Sequence, residues 1–172
     1  METITIELSS SGCDKALKKV ERYQKFLQRK LDVICRRVAK FGLVRAQKNF
    51  NAALYDGVKD VTVEVDKIEN GYAVRANGTT VLFLEFGAGV HYPNDHPKAG
   101  ETGIAHGTYG RGLGNNDYWF YTGQPGNAGG ELAHGHKNTT ITHGNPANMP
   151  MYNASKDMRG EIQRIAQEVL GK

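Results

Sequence analysis

The chain has 172 residues, with a net charge of +4 and no composition bias towards low complexity. That length fits one domain with a modest core. No stretch approaches the roughly 20 apolar residues of a membrane span. Met1 is followed by an acidic, alternating stretch rather than a basic region and an apolar run, so no signal peptide is expected.

Thr3-Ile4-Thr5-Ile6-Glu7-Leu8 alternates polar and apolar residues, the pattern of a half-buried strand. Ser9-Ser10-Ser11-Gly12 breaks it and supplies a cap for a helix starting near Asp14. Leu17, Val20, Leu27, Leu31, Ile34, Val38 and Phe41 then recur at spacings of three, four and seven, with Gln24 at the missing seam position. This predicts an amphipathic helix of about eight turns. The seam has two readings: the face of a coiled coil, or the face a helix lays on its own domain's sheet. The second is preferred, because the strands that follow supply such a sheet. After Phe41-Gly42 the phase slips to Leu43, Ala46, Phe50 and Leu54, which predicts a bend or a second helix ended by Tyr55-Asp56-Gly57. Cys13 and Cys35 lie on this helix about 33 Å apart, so they read as reduced thiols rather than a disulfide.

The helical region is basic. Residues 1–59 carry 13 Lys/Arg against 6 Asp/Glu, and residues 60–172 carry 9 against 12. Lys15, Lys18, Lys19, Arg22, Lys25, Arg29 and Arg36 fall off the apolar seam and are candidates for facing DNA phosphates. The bland reading is a solvated helix face, and no helix-turn-helix, zinc-finger or RNA-recognition signature accompanies them. A basic half and an acidic half also suit head-to-tail contact between copies.

Val61, Val63 and Val65, then Asn70-Gly71, then Tyr72, Val74 and Ala76 predict a β-hairpin. Val81-Leu82-Phe83-Leu84-Glu85-Phe86 is short and apolar, so periodicity leaves strand and helix both open. Residues 87–148 are unlike the rest: they hold 14 of the 21 glycines, four of five prolines and all six histidines. A segment so poor in apolar residues cannot offset its own ordering entropy. It reads as a long loop that carries a site or becomes ordered against a partner. Within it, Asp117-Tyr118-Trp119-Phe120-Tyr121 and Lys137–His143 are candidate strands. After Pro150, Met151, Ala154, Met158, Ile162, Ile165, Ala166, Val169 and Leu170 mark a C-terminal helix.

The histidines raise the question of metal. His91 and His96 flank Asp95, His134-Gly135-His136 is a His-x-His, and His106 and His143 complete the set. Imidazoles plus a carboxylate are a zinc-type donor set, and a metal-binding enzyme with a loop site is the alternative reading. Zinc ligands are, however, usually paired on rigid elements, and these are scattered over Gly-rich sequence. No Gly-x-Ser-x-Gly elbow is present. Gly110-Arg111-Gly112-Leu113-Gly114 and Gly123-Gln124-Pro125-Gly126 lack the Lys-Ser/Thr of a phosphate loop. Glu85, in an apolar run, reads either as a general acid or as a buried carboxylate that caps the following glycine loop or meets a neighbouring subunit. The second is preferred.

The order of these pieces resembles a known family. A basic helical region, a Val-rich hairpin, Leu84-Glu85-Phe86-Gly87-Ala88-Gly89, Trp119-Phe120-Tyr121, and His143-Gly144-Asn145-Pro146-Ala147 before Met149-Pro150-Met151-Tyr152 are similar to the small minor tail components of long-tailed phages and prophages, described as head–tail joining, tail-completion or neck proteins. The resemblance covers about residues 14–170. Two features depart from the pattern: Ala88 stands where Thr is common, and the 90–136 excursion is longer than in shorter members. The resemblance implies no catalysis and no cofactor. It implies a virion subunit, made in a bacterial cytoplasm, that forms a ring. Its partners would be the head connector or head-closure protein and the tail tube protein, with DNA passing through. The residues implied for assembly are Glu85, Phe86, Gly87, Gly89, Trp119, Tyr121, His143, Asn145, Pro146, Met149, Met151 and Tyr152.

The expected architecture is one α+β domain over 1–172. A basic helical region (14–54) is followed by the hairpin and apolar segment (60–86), the extended loop with short strands (87–148) and a C-terminal helix (150–170). An antiparallel sheet packs against the two long helices.

Overall fold

The structure, a computed structural model, describes residues 9–88, 96–98, 100–102 and 117–171. The strand expected at 3–8, the residues Gly89, His91, Asp95 and His106, and the glycine run at 110–114 lie outside the described residues.

The first element, α1 (Ser10–Ala52), is a single helix of 43 residues. Ser9 caps it, its hydroxyl accepting from Gly12 N at 3.1 Å. The expected break at Phe41-Gly42 does not occur. Gly42 is a point of close approach instead: a Cβ there would sit 2.2 Å from Met158 Sδ. The phase slip therefore records a change of packing partner along one continuous helix. At the far end Lys59 closes the helix, its ammonium donating to Asn51 O (2.9 Å) and Ala53 O (2.6 Å). These carbonyls have no helical partner of their own.

The hairpin pairs β1 (Thr62–Ile68) with β2 (Gly71–Asn77), with Val63 opposite Ala76 and Val65 opposite Val74. Ile68 faces Gly71, so Glu69 and Asn70 form the turn, one residue earlier than expected. The ambiguous apolar segment is a helix, α2 (Val81–Phe86). Asp60 sets its start, accepting from the N–H and hydroxyl of both Thr79 and Thr80 at 2.6–3.0 Å. Four donors hold the Asp60 carboxyl well below the ordinary carboxylate range, the Thr80 and Thr79 hydroxyls contributing most.

Three strands follow: β3 (Trp119–Thr122), β4 (Glu131–Leu132) and β5 (Thr139–Thr142), in the antiparallel order β3-β5-β4. The last element is α3 (Pro150–Leu170). The architecture is thus mixed α+β, with a long N-terminal helix, a C-terminal helix and small antiparallel sheets. The strands divide between a two-stranded and a three-stranded sheet.

Two cores result. Ile34 and Val38 of α1 pack on Ile165 and Val169 of α3, with Met158 beside them. Phe50, Ala53 and Leu84 form the second, covered by Val61, Val63, Ala76 and Met151. The helices α1 and α3 run antiparallel: Asn49 Nδ2 donates to Pro150 O (3.0 Å) at one end, and Lys30 Nζ to Val169 O (2.7 Å) at the other. Arg37 pairs with Glu168 at 2.5 Å between them.

This pairing overturns part of the reading of the apolar seam. Ile34, Val38 and Phe50 are buried, but Leu17 is 59% exposed, Val20 49% and Leu31 56%. α3 ends beside Lys30, so residues 10–29 extend about 30 Å past it. The cause is length: 21 residues of α3 cover only half of a 43-residue helix. Cys13 and Cys35 are free and exposed.

Candidate functional site

The motif residues meet at two adjoining places beyond the C-terminal end of α1. The first is a buried node centred on Glu85. The residue lies in α2 and is 6% exposed. Its carboxylate accepts from Met151 N (2.8 Å) and Tyr152 N (2.9 Å), the first turn of α3. That helix has no cap of its own, because its N-cap residue is Met149, held at φ 54° without a side-chain hydrogen bond. Glu85 supplies the missing acceptor and an anion at the positive end of the helix dipole.

The third partner of Glu85 is His96, whose Nε2 lies 3.0 Å from Oε1. Lys98 N donates to His96 Nδ1 at 3.0 Å. An accepting Nδ1 carries no proton, so the neutral ring donates to Glu85 through Nε2. The imidazole is flanked by Phe86, centroids 4.3 Å apart, and Tyr152, 5.4 Å. Both ring nitrogens are engaged within the chain, which removes His96 from a metal-ligand set. His134 and His136 are exposed. Among the described residues no three of His, Cys, Asp and Glu gather as a metal would need.

The node also ties the two ends of the long excursion together. Ala88 and Asn145 form an isolated antiparallel bridge (3.0 and 2.9 Å). Asn145 Nδ2 donates to Phe83 O (2.8 Å), and Asn148 is bonded to both backbone groups of Leu54. Gly87 makes the crossing possible. Its φ is 76°, and a Cβ there would lie 2.8 Å from Ala147 N. Pro146 and Met149 carry the return strand into α3. Glu85, Phe86, Gly87 and Asn145 are buried, so their position is internal and they present no surface to a partner.

The second place is a groove of about 660 Å³ beside the node. Its described lining includes Tyr55, Val58, Phe83, Trp119, Tyr121 and Gln124. β3 builds it by strand alternation: Trp119 and Tyr121 turn into the groove, while Tyr118 and Phe120 turn to a smaller hollow of about 340 Å³ on the other face. His143 belongs to that second face; its Nδ1 donates to Asp117 O at 3.1 Å. Three polar groups of the groove are bonded within the chain. Tyr121 OH donates to Gln124 O (2.6 Å), Gln124 Nε2 to Lys137 O (3.1 Å), and Asn145 Nδ2 to Phe83 O. The buried Asp56 carboxylate accepts from Ala128 N (3.0 Å) and the Thr142 hydroxyl (2.9 Å), binding the small sheet to the end of α1. Burial, followed by the nearby Asp60, Tyr121 and Asp56, raises the Tyr55 pKa. The groove offers mainly apolar and aromatic surface, with the Tyr55 hydroxyl and the Trp119 indole at its wall.

Tyr55, Val58, Asp56 and Asp60 were not singled out as site residues by the sequence. One signal was available: Val58 is a lone apolar residue in a turn, between Gly57 and Lys59, and it is 84% exposed.

The basic residues Lys15, Lys18, Lys19, Arg22, Lys25, Arg29 and Arg36 are all exposed on α1. At 100° per residue, Lys18, Arg22, Lys25, Arg29 and Arg36 fall within about 40–60° of one another, opposite the apolar seam. No helix among the described residues is long and apolar enough to cross a membrane. Comparison with family models, with curated proteins and with solved structures finds no match for the chain.

Proposed function

We propose that the chain is a structural virion protein of a bacteriophage or prophage, joining or completing the tail at the head–tail interface by assembling with itself and its neighbours. The observation that carries this reading is a run of exposed apolar residues in the N-terminal half of α1, where of the apolar residues Ala16 alone is buried. Leu17, Val20, Tyr23, Phe26 and Leu31 are each 47–59% exposed on a helix about 30 Å longer than its partner. An apolar stripe of that length left in water is the mark of an interaction surface rather than of a finished monomer. The resemblance in the order of motifs supports the same reading and supplies the partners: head connector or head-closure protein, and tail tube protein. The basic stripe opposite the apolar one suits a lining past which DNA moves. No catalytic step is assigned.

The test is genetic and structural. Deleting the reading frame from the phage or prophage that carries it should leave DNA-filled heads and tails unjoined in electron micrographs, and mass spectrometry of intact virions should detect the protein. Normal joined particles without it would overturn the reading.

A further inference from the structure

The basic side of α1 also carries aromatic rings. On a helix each side chain is flanked by those three and four positions away. For Phe26 these are Arg22, Tyr23, Arg29 and Lys30, three cations and an aromatic ring. Phe26 is 47% exposed and Tyr23 50%. Their rings lie 23° from parallel with centroids 6.2 Å apart, and the Lys30 ammonium sits 5.4 Å from the Phe26 centroid. Leu31, on the apolar seam, has Leu27, Gln28, Ile34 and Cys35 in the same positions, with no charge among them. Phe26 therefore belongs to the basic side of the helix, and Tyr23 to its border with the seam. We propose that this side of α1 binds single-stranded nucleic acid, with bases stacked on Tyr23 and Phe26 and phosphates held by Arg22, Arg29 and the cations beside them.

Three observations select this partner. The first is charge. Residues 15–30 carry seven Lys/Arg against one acid, Glu21. Among the described residues Lys15, Lys18, Lys19, Arg22, Lys25 and Arg29 have no ion-pair partner. Like charges three and four apart, as at Lys15 and Lys19 or Lys18 and Arg22, weaken a bare helix, and a polyanion laid along them reverses that cost. The second is the placing of the rings. A helix that lies in a membrane surface keeps its aromatic residues on the face away from its cations, whereas Phe26 has three cations around it. The third is the state of the bases. In a duplex each base face is covered by the next pair, so Tyr23 and Phe26 have nothing to stack on. A single strand offers those faces, and every base has one, so the contact is tolerant of sequence.

Fluorescence anisotropy with a labelled oligo-dT of about 20 nucleotides, longer than the usual site of about 4–16, tests the proposal against a duplex of the same length. The full chain should bind the single strand at least about 10-fold more tightly than the duplex. Tyr23→Leu with Phe26→Leu keeps two good helix formers at exposed positions, and circular dichroism confirms that the fold is retained. This double variant should lose about 5- to 100-fold in affinity for oligo-dT and keep its affinity for the duplex. Arg22→Gln with Arg29→Gln should weaken both. A duplex bound as tightly as the single strand, or a double leucine variant that binds oligo-dT as the unaltered chain does, would overturn the proposal and leave the ring pair a support for the helix alone. Cosedimentation with phosphatidylserine–phosphatidylcholine vesicles, without binding of oligo-dT, would overturn it in favour of a lipid surface. The tail assignment does not depend on the result, because head–tail joining by the double leucine variant is scored separately in electron micrographs.

Discussion

Glu85 gathers three donors on one carboxylate: two backbone N–H groups of α3 and the His96 imidazole. Removing it leaves all three unpaired in a buried place, so Glu85→Ala should lower stability by about 2–4 kcal/mol. In a chain of this length that is a melting temperature about 4–16 °C lower; Glu85→Gln, which keeps an acceptor, should lose less. A thermal melt of both variants checks the order. Gly87→Ala strains a left-handed residue against the backbone at Ala147 and should cost about 1–3 kcal/mol by the same measurement. Asp60 gives a pH dependence. Its folded pKa lies below the ordinary 3.8, so its stabilisation is complete above that value and is lost as pH falls through and below it. Asp60→Asn should therefore flatten the fall in stability between about pH 4 and pH 2, measured by denaturant titration across that range.

Among the elements, α1 and α3 decide the shape. Apolar spacing identified both, because each keeps a helical period over more than five turns. Spacing could not tell which half of α1 would be covered, since Leu17-Val20 and Ile34-Val38 read alike; coverage depends on where α3 lies. Gly42 is similar. In sequence it looks like a breaker, and in the fold it admits Met158. Gly42→Val should overpack this crossing and destabilise by about 1–3 kcal/mol, whereas Gly160, with no neighbour within 4 Å of a Cβ, should tolerate Ala. Local stability should divide along the same line. Amides of residues 14–29 should exchange well ahead of 34–50 in the dissociated chain, and gain protection on assembly. Hydrogen exchange at two concentrations reads both.

At the scale of the whole molecule, charge and apolar surface are sorted to different places. The stripe of Lys18, Arg22, Lys25 and Arg29 lies on the side of α1 opposite the exposed Val20 and Leu31. Duplex DNA should then bind the assembly weakly and without sequence preference, with an affinity that falls steeply as salt rises. Each of Arg22→Gln and Arg29→Gln should reduce the slope of log affinity against log salt by about 1, measured by fluorescence anisotropy. An unchanged slope would place the stripe away from phosphate.

Local chemistry was enough to read the capped N-terminal helix, the Val-rich hairpin, the strand around Trp119 and the helix after Pro150. Each rests on periodicity or turn residues within a dozen positions. Glu85, Phe86, Asn145 and Tyr152 entered the assembly set with eight other residues through the family resemblance, not through local chemistry. Only the tertiary structure decided what Glu85 does, because its partners lie 11 residues away at His96 and 66–67 away at Met151 and Tyr152. It also decided that α2 is a helix, since six apolar residues fit either period and Asp60, 19–20 residues upstream, supplies its start. The groove was beyond the sequence for the same reason. Tyr55 lies just after α1, Phe83 in α2 and Trp119 in β3, and nothing in any one of these segments records the others.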